Sequence, residues 1–153
     1  MTGLVYRIGS ASHEDLSIHL KACADYFNPP LDSRVNISDY ALKISVRAVT
    51  FEAWSADVLA GLVAAYLDRE NGKGFITSVS TVKEFTGRGI AKMLMQMCVD
   101  YSRKHGIREL SLEVSKESGK ALRLYDGCGF NRELESEGMI RMKLDVPRAD
   151  RGK

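Results

Sequence analysis

The stretch best suited to chemistry is Phe85-Thr86-Gly87-Arg88-Gly89-Ile90-Ala91-Lys92, which joins a run rich in β-branched residues, Phe75 to Val82, to a long amphipathic pattern beginning at Ile90. Two glycines in one short loop let the backbone turn tightly and admit a ligand to close range. The helix that follows offers N–H groups without intrahelical partners, together with the positive end of its dipole. These features suit a phosphate or pyrophosphate, and Arg88 and Lys92 add positive charge at the rim. An ordinary strand-to-helix turn has the same residues, so the loop alone leaves both readings open. It is not a Walker loop, because the chain has no GxxxxGKS or GxxxxGKT, and Lys92 fills the third glycine position of GxGxxG.

The elements that must position this loop follow from periodicity. Leu4 to Ile8 alternates as a first strand. Ser12 with Asp15 forms a capping-box pattern ahead of a helix carrying Leu16, Leu20, Cys23 and Phe27 on one side. Asn28-Pro29-Pro30 ends that helix. Ile37, Tyr40, Ala41, Ile44 and Ala48 predict a second helix. Thr50 to Ser55 reads as a strand, and Val58 to Leu67 as a strand buried on both faces. Asp68 to Gly74, with Asn71-Gly72, is a turn before the strand Phe75 to Val82. Ile90, Met93, Leu94, Met97, Cys98 and Tyr101 form one face of a long helix that His105-Gly106 stops. Leu110 to Val114 alternates as a strand, Ser118 to Cys128 predicts a short helix, and Met139 to Val146 is a last strand. A short strand is expected near Asn131 to Glu135. The order predicts an α/β domain with a mixed sheet.

Two motifs in this frame carry a family resemblance. Thr86 to Ala91 resembles the acetyl-CoA loop of the GNAT N-acetyltransferases, written R/Q-x-x-G-x-G/A: Gly89 and Ala91 match its last fixed positions, Gly87 and Ile90 are typical fillers, and Thr86 departs from the expected Arg or Gln. Ala121, Leu124, Tyr125, Gly129 and Phe130 match the family's A-x-x-L-Y-x-x-x-G-F pattern, with Ser118 in place of the Asn usual three residues before that Ala. Leu112-Glu113-Val114 is similar to the preceding family strand. The resemblance runs from Phe75 to Phe130 and is weaker before it. It implies a single GNAT-like domain over residues 1–147 with a sheet of six to seven strands and about four helices. Residues 148–153 remain as a basic tail, read as a frayed terminus.

The resemblance also implies a site. The strands at Phe75–Val82 and Leu110–Val114 would splay apart, and the pantetheine arm of acetyl-CoA would enter like an extra strand, paired to backbone groups of Val79, Ser80 and Thr81. An N–H on that strand would polarise the thioester carbonyl. Thr86, Gly87, Arg88, Gly89, Ile90, Ala91, Lys92 and Ser118 would complete the cofactor site. A free amine would then attack directly. A lysine-like amine is neutral in only about one molecule in 2,500 at pH 7, so a base is required. The departing thiolate needs an acid. Tyr125 stands at the family's acid position. Glu113, pointing with Ser111 and Ser115 away from Leu112 and Val114, is the candidate base, and a solvated or structural carboxylate is its alternative. Glu52, beside Trp54 on a strand expected near the acceptor cleft, is a further candidate.

Bulk properties exclude other classes. Twenty-two basic and 20 acidic residues give +2 over 153 residues, too balanced for a nucleic-acid or anionic-membrane partner. Cys23, Cys98 and Cys128 are odd in number and lack CxxC spacing, which argues against a disulfide framework and a zinc site and fits a reducing cytoplasm. Each is expected to pack as a small hydrophobe. His13, His19 and His105 lack metal spacing and are expected at the surface. There is no basic-then-apolar leader and no apolar run near ~18 residues. The expected partner is a peptide or small-molecule amine, bound in a pocket shaped by residues 28–56, and dimers are common among such enzymes. Two other readings stay open: a non-catalytic CoA-binding domain, motivated by Thr86 and Ser118, and an acyltransferase using another acyl group or a hydroxyl acceptor.

Overall fold

The Ser12 hydroxyl accepts from the backbone N–H of Asp15 while the Asp15 carboxylate accepts from the N–H of Ser12, so the capping box forms and α1 runs from His13 to Cys23. In this computed structural model, which describes residues 3–148, α1 follows β1 (Val5–Ile8) and leads through two short 3-10 turns to α2 (Ile37–Arg47). Then come β2 (Val49–Ser55), β3 (Val58–Asp68), β4 (Lys73–Thr81) and α3 (Ile90–Lys104). The chain closes with β5 (Glu109–Ser115), α4 (Gly119–Gly127), β6 (Asn131–Ser136) and β7 (Met139–Asp145). The strand expected near Asn131 is β6. Phe27 does not extend α1: the α-helix ends at Cys23 and tightens into a 3-10 turn over Ala24–Tyr26, ahead of the prolines. All of the basic tail but Arg148 lies outside the described residues.

The seven strands form one mixed sheet in the order β1-β2-β3-β4-β5-β7-β6, with β4 and β5 the parallel pair. β3 is buried on both faces, as its apolar run requires: Leu59 to Ala65 are all buried. One face packs under α3 and α4 around Phe51, Val63, Ile76, Leu94, Met95 and Leu110. The other packs under α1 and α2 around Leu16, Leu20, Ile44, Leu62 and Ala64. α3 comes close to the sheet at Gly61, where a Cβ would lie 2.5 Å from Ile90 Cγ2. That approach fixes the first turn of α3, and so the glycine loop before it, against β3. No helix of the described residues is long and apolar enough to cross a membrane.

Two corrections belong here. His19 is not at the surface. It falls at i+3 from Leu16 and i+4 before Cys23, inside the apolar stripe of α1, and is 2% exposed. Glu52 is not a cleft residue. It is fully buried on β2, where its carboxylate accepts from the backbone N–H groups of Ser10 and Ala11, the hydroxyls of Ser10 and Thr50, and Trp54 Nε1. The carboxylate ties the β1–α1 connection to the sheet, and five donors leave it no lone pair for a substrate.

Candidate active site

β4 and β5 pair over only three rungs, Lys73–Glu109, Gly74–Leu110 and Phe75–Ser111. Beyond them each strand keeps its other neighbour: β4 pairs with β3 as far as Thr81–Gly61, and β5 with β7 as far as Ser115–Met139. The strands therefore part. A bulge marks the place, because Ala64 pairs with Ser78 and Ala65 with Ile76, which leaves Thr77 without a partner residue on β3. The Tyr40 hydroxyl, on α2, donates to the Thr77 carbonyl at 2.8 Å and pins the bulge. Backbone polar groups along the facing edges of Ile76–Thr81 and Leu112–Ser115 have no ladder between them, so an extended ligand can pair there.

A cavity of about 730 Å³ fills the gap. Its walls include Val79, Ser80 and Thr81 from β4, Leu112, Glu113 and Val114 from β5, and Tyr125 from α4. Its far end is the glycine loop: Thr86, Gly87, Gly89, Ile90, Ala91 and Lys92 all line it, and so does Ser118 at the start of α4. Gly87 and Gly89 have φ of 80° and 77°, a left-handed conformation that glycine adopts freely. Gly89 is the N-cap of α3 and provides no side-chain cap, so the first N–H groups of the helix point outward unanswered. A Cβ on either glycine would meet no protein atom within 4 Å, so the space above them is open to a ligand. The geometry suits a phosphate or pyrophosphate group, with the loop as its cradle. Arg88 stands apart: its guanidinium lies 5.1 Å over the Phe85 ring and Nη2 donates to the Glu84 carbonyl, which takes it out of the cavity wall. The Thr86 hydroxyl donates to the Lys83 carbonyl at 2.8 Å and so serves the loop itself.

Tyr125 is 7% exposed and leans on Phe130, with ring centroids 6.1 Å apart. Burial pushes its phenol well above the usual tyrosine range, with the Cys128 thiol adding to the rise. A phenol so held keeps its proton at neutral pH and can only donate it. Glu113 is exposed at the cavity edge, opposite Arg141 of β7, whose Nη1 lies 3.9 Å from Glu113 Oε2. Of residues 28–56, expected to shape an acceptor pocket, Asn28 and Arg34 line the cavity, joined by Tyr26 and Phe27 before them. The periodicity puts Phe27 on the apolar side of the first helix and does not show which way Asn28 and Arg34 turn. His19 is the residue sequence reasoning missed at this site: Nδ1 lies 2.7 Å from the Leu59 carbonyl and Nε2 lies 2.8 Å from Ser80 Oγ. The signal was its place in the Leu16–Leu20–Cys23 stripe.

Known proteins agree with this arrangement. Residues 16–130 match the family model described as the acetyltransferase (GNAT) family. N-alpha-acetyltransferase 30 of Schizosaccharomyces pombe is 33% identical over 86 residues, which are 54% of this chain and 57% of that protein. The chain spans about half the length of the curated relatives it matches. Among solved structures, the ribosomal-protein-S18-alanine N-acetyltransferase from Escherichia coli superposes with a TM-score of 0.77 at 17% identity, over 97% of this chain and 99% of that one. The PaiA N-acetyltransferase from Thermoplasma acidophilum, in complex with coenzyme A, gives 0.74 at 17% identity, over 92% and 99%. Parted parallel strands, a glycine loop at a bare helix start and a match over most of the chain converge: this protein belongs to the acetyltransferase (GNAT) family.

Proposed function

We propose that the protein transfers the acetyl group of acetyl-CoA directly to a primary amine, without an acyl-enzyme. The observation that carries this reading is the gap between β4 and β5, with the glycine loop at one end of its cavity and a buried phenol on its wall. In the step, the amine nitrogen bonds to the thioester carbonyl carbon, the C–S bond breaks, and the sulfur takes the Tyr125 proton. The surplus proton of the nitrogen leaves through Glu113 or water. The cavity loop positions the donor; the two proton carriers stand on separate elements, α4 and β5. We place the activity in the cytoplasm, where the donor is made available and thiols stay reduced.

An α-amino group is the acceptor this site suits best. Its pKa near ~8 leaves roughly one molecule in ten neutral at pH 7, against about one in 2,500 for a lysine. Glu113 stands exposed at the cavity edge beside Arg141, and an amine already partly neutral asks little of a base. The names of the similar proteins, an N-alpha-acetyltransferase and a ribosomal-protein-S18-alanine N-acetyltransferase, support the same class.

The test is a thermal-shift titration with acetyl-CoA, followed by thiol release against peptides with a free N-terminus, the same peptides N-terminally blocked but carrying lysine, and small amines. Stabilisation with release from the free N-terminus alone is the expected result. Release with lysine peptides alone would overturn the α-amine assignment. Stabilisation without release from any amine would favour a CoA-binding domain, the reading to which Thr86 lends weight by turning its hydroxyl onto Lys83.

A further inference from the structure

The acyl-transfer step leaves two buried titratable groups unused beside the cavity: Cys23, which lines it, and His19, which lies behind Ser80. His19 reaches across from α1 to two strands of the sheet. The Leu59 carbonyl of β3 can only accept, so at 2.7 Å it requires the ring hydrogen on Nδ1. Burial pushes the imidazole down to about 4, so it is neutral near pH 7 and its other nitrogen, Nε2, is bare. Ser80 Oγ, 2.8 Å from Nε2, must then donate its proton to it. The Cys23 thiol lies 3.7 Å from the same nitrogen. The Ser80 hydroxyl is thereby committed: with its hydrogen spent on His19, it has only lone pairs to offer anything in the cavity.

The face of the sheet decides what those lone pairs meet. Ile76 and Val79 of β4 pack into the core beneath α3 and α4, where the glycine loop and Tyr125 belong. Ser80 turns the opposite way, toward α1, and the cavity wall on that side continues into Tyr26, Phe27 and Arg34. A group arriving at Ser80 Oγ therefore comes from the acceptor side and has to be a hydrogen-bond donor. We propose that His19 is a positioning residue that holds Ser80 as a fixed hydrogen-bond acceptor, and that Ser80 Oγ receives an N–H of the acceptor amine. This rests on the acyl-transfer reading above. His19 itself is not the base, because a proton on Nε2 would create a buried imidazolium faced by two neutral partners, the Leu59 carbonyl and the Ser80 hydroxyl, with no carboxylate bonded to it. Holding one N–H from the side limits the rotation of the amine and helps aim its lone pair at the gap.

The test uses the full chain and whichever amine the thiol-release panel turns over. Ser80→Ala is expected to raise the acceptor KM by ~10-fold, the worth of one hydrogen bond, with the acetyl-CoA KM little changed and the melting temperature modestly lowered, because the buried His19 Nε2 loses its donor. Ser80→Thr, which keeps the hydroxyl, is expected to recover most of the loss. An unchanged acceptor KM in Ser80→Ala, or a rise in the acetyl-CoA KM instead, overturns the proposal. A second measurement needs no variant at His19: in protein labelled with 15N-histidine, with signals assigned through His13→Gln and His105→Gln, His19 is expected as the neutral Nδ1–H tautomer at pH 7. The Nε2–H tautomer there would overturn the locked-acceptor geometry while leaving acetyl transfer intact. A wild-type protein that binds acetyl-CoA yet turns over no amine removes the acyl-transfer reading first, and this inference with it.

Discussion

Tyr125 must hold a proton until the C–S bond breaks and release it as it does. A thiol has a pKa near ~8.5 against ~10 for free tyrosine, and burial raises the phenol further, so the transfer is uphill to a free thiolate and has to be coupled to C–S cleavage, with the phenol regaining a proton afterwards. Tyr125→Phe keeps the ring against Phe130 and removes the donor, so turnover should fall by ~10²-fold or more while calorimetry finds acetyl-CoA affinity unchanged. An equal rate takes the role away from Tyr125. Glu113→Gln should flatten the rise of kcat/KM on the acid side of the pH profile, and a profile of wild-type shape moves the base elsewhere. Glu52 belongs to stability: Glu52→Gln puts an amide N–H₂ among donors, and should cost on the order of 2–3 kcal/mol in urea unfolding with activity per folded molecule retained. What was legible at this scale was local in sequence. Tyr125 sits in a ten-residue pattern, whereas the partners of Glu52 lie up to 42 residues away and those of His19 up to 61. A carboxylate beside a tryptophan looks the same on a cleft wall and in a buried clasp until those partners are placed.

The site is made by elements that fail to pair. Periodicity identified β4, β5, α3 and α4 and the loop between β4 and α3, because alternation and the 3.6-residue repeat belong to each segment alone. It could not count rungs. That β4 and β5 share three, that Thr77 bulges, and that Tyr40 pins the bulge are relations among segments, set by how α1, α2, α3 and α4 load the two faces. The loop at the other end of the gap is a backbone device, and its weak point is Gly89. At φ 77° a β-branched side chain is strained, by about 1–3 kcal/mol, and its methyls would occupy the open space that the pyrophosphate is expected to fill. Gly89→Val should therefore weaken acetyl-CoA binding by ~10-fold or more in calorimetry and lower the melting temperature modestly. Equal affinity would mean that the donor does not lie on this loop.

The two cores of the described residues, one under α3 and α4 and one under α1 and α2, lie on opposite faces of the sheet, so what fastens α1 to the strands matters to the whole. His19 is one such fastener, with bonds to β3 and β4, and it ties folding to pH. Its imidazole is held down to about 4 in the folded chain by burial, with the Leu59 carbonyl opposing the shift, against the usual ~6.5 when unfolded. Between those values the unfolded chain binds the additional proton, so stability rises with pH across the window and is lost as pH falls from 6.5 toward 4. From pH 7 to pH 5 the loss amounts to about 2 kcal/mol for this one group. The exposed Asp68 carboxyl, held low by its hydrogen bonds from Asn71, loses its contribution only further into acid. Urea unfolding at pH 7, 6 and 5 should therefore show a midpoint that falls toward acid with a constant slope m. His19→Gln, which puts an amide in place of the imidazole and cannot titrate, should be less stable at pH 7 and should flatten that fall. A variant with the same acid dependence as the wild type would assign the proton uptake to other groups and leave His19 as packing alone.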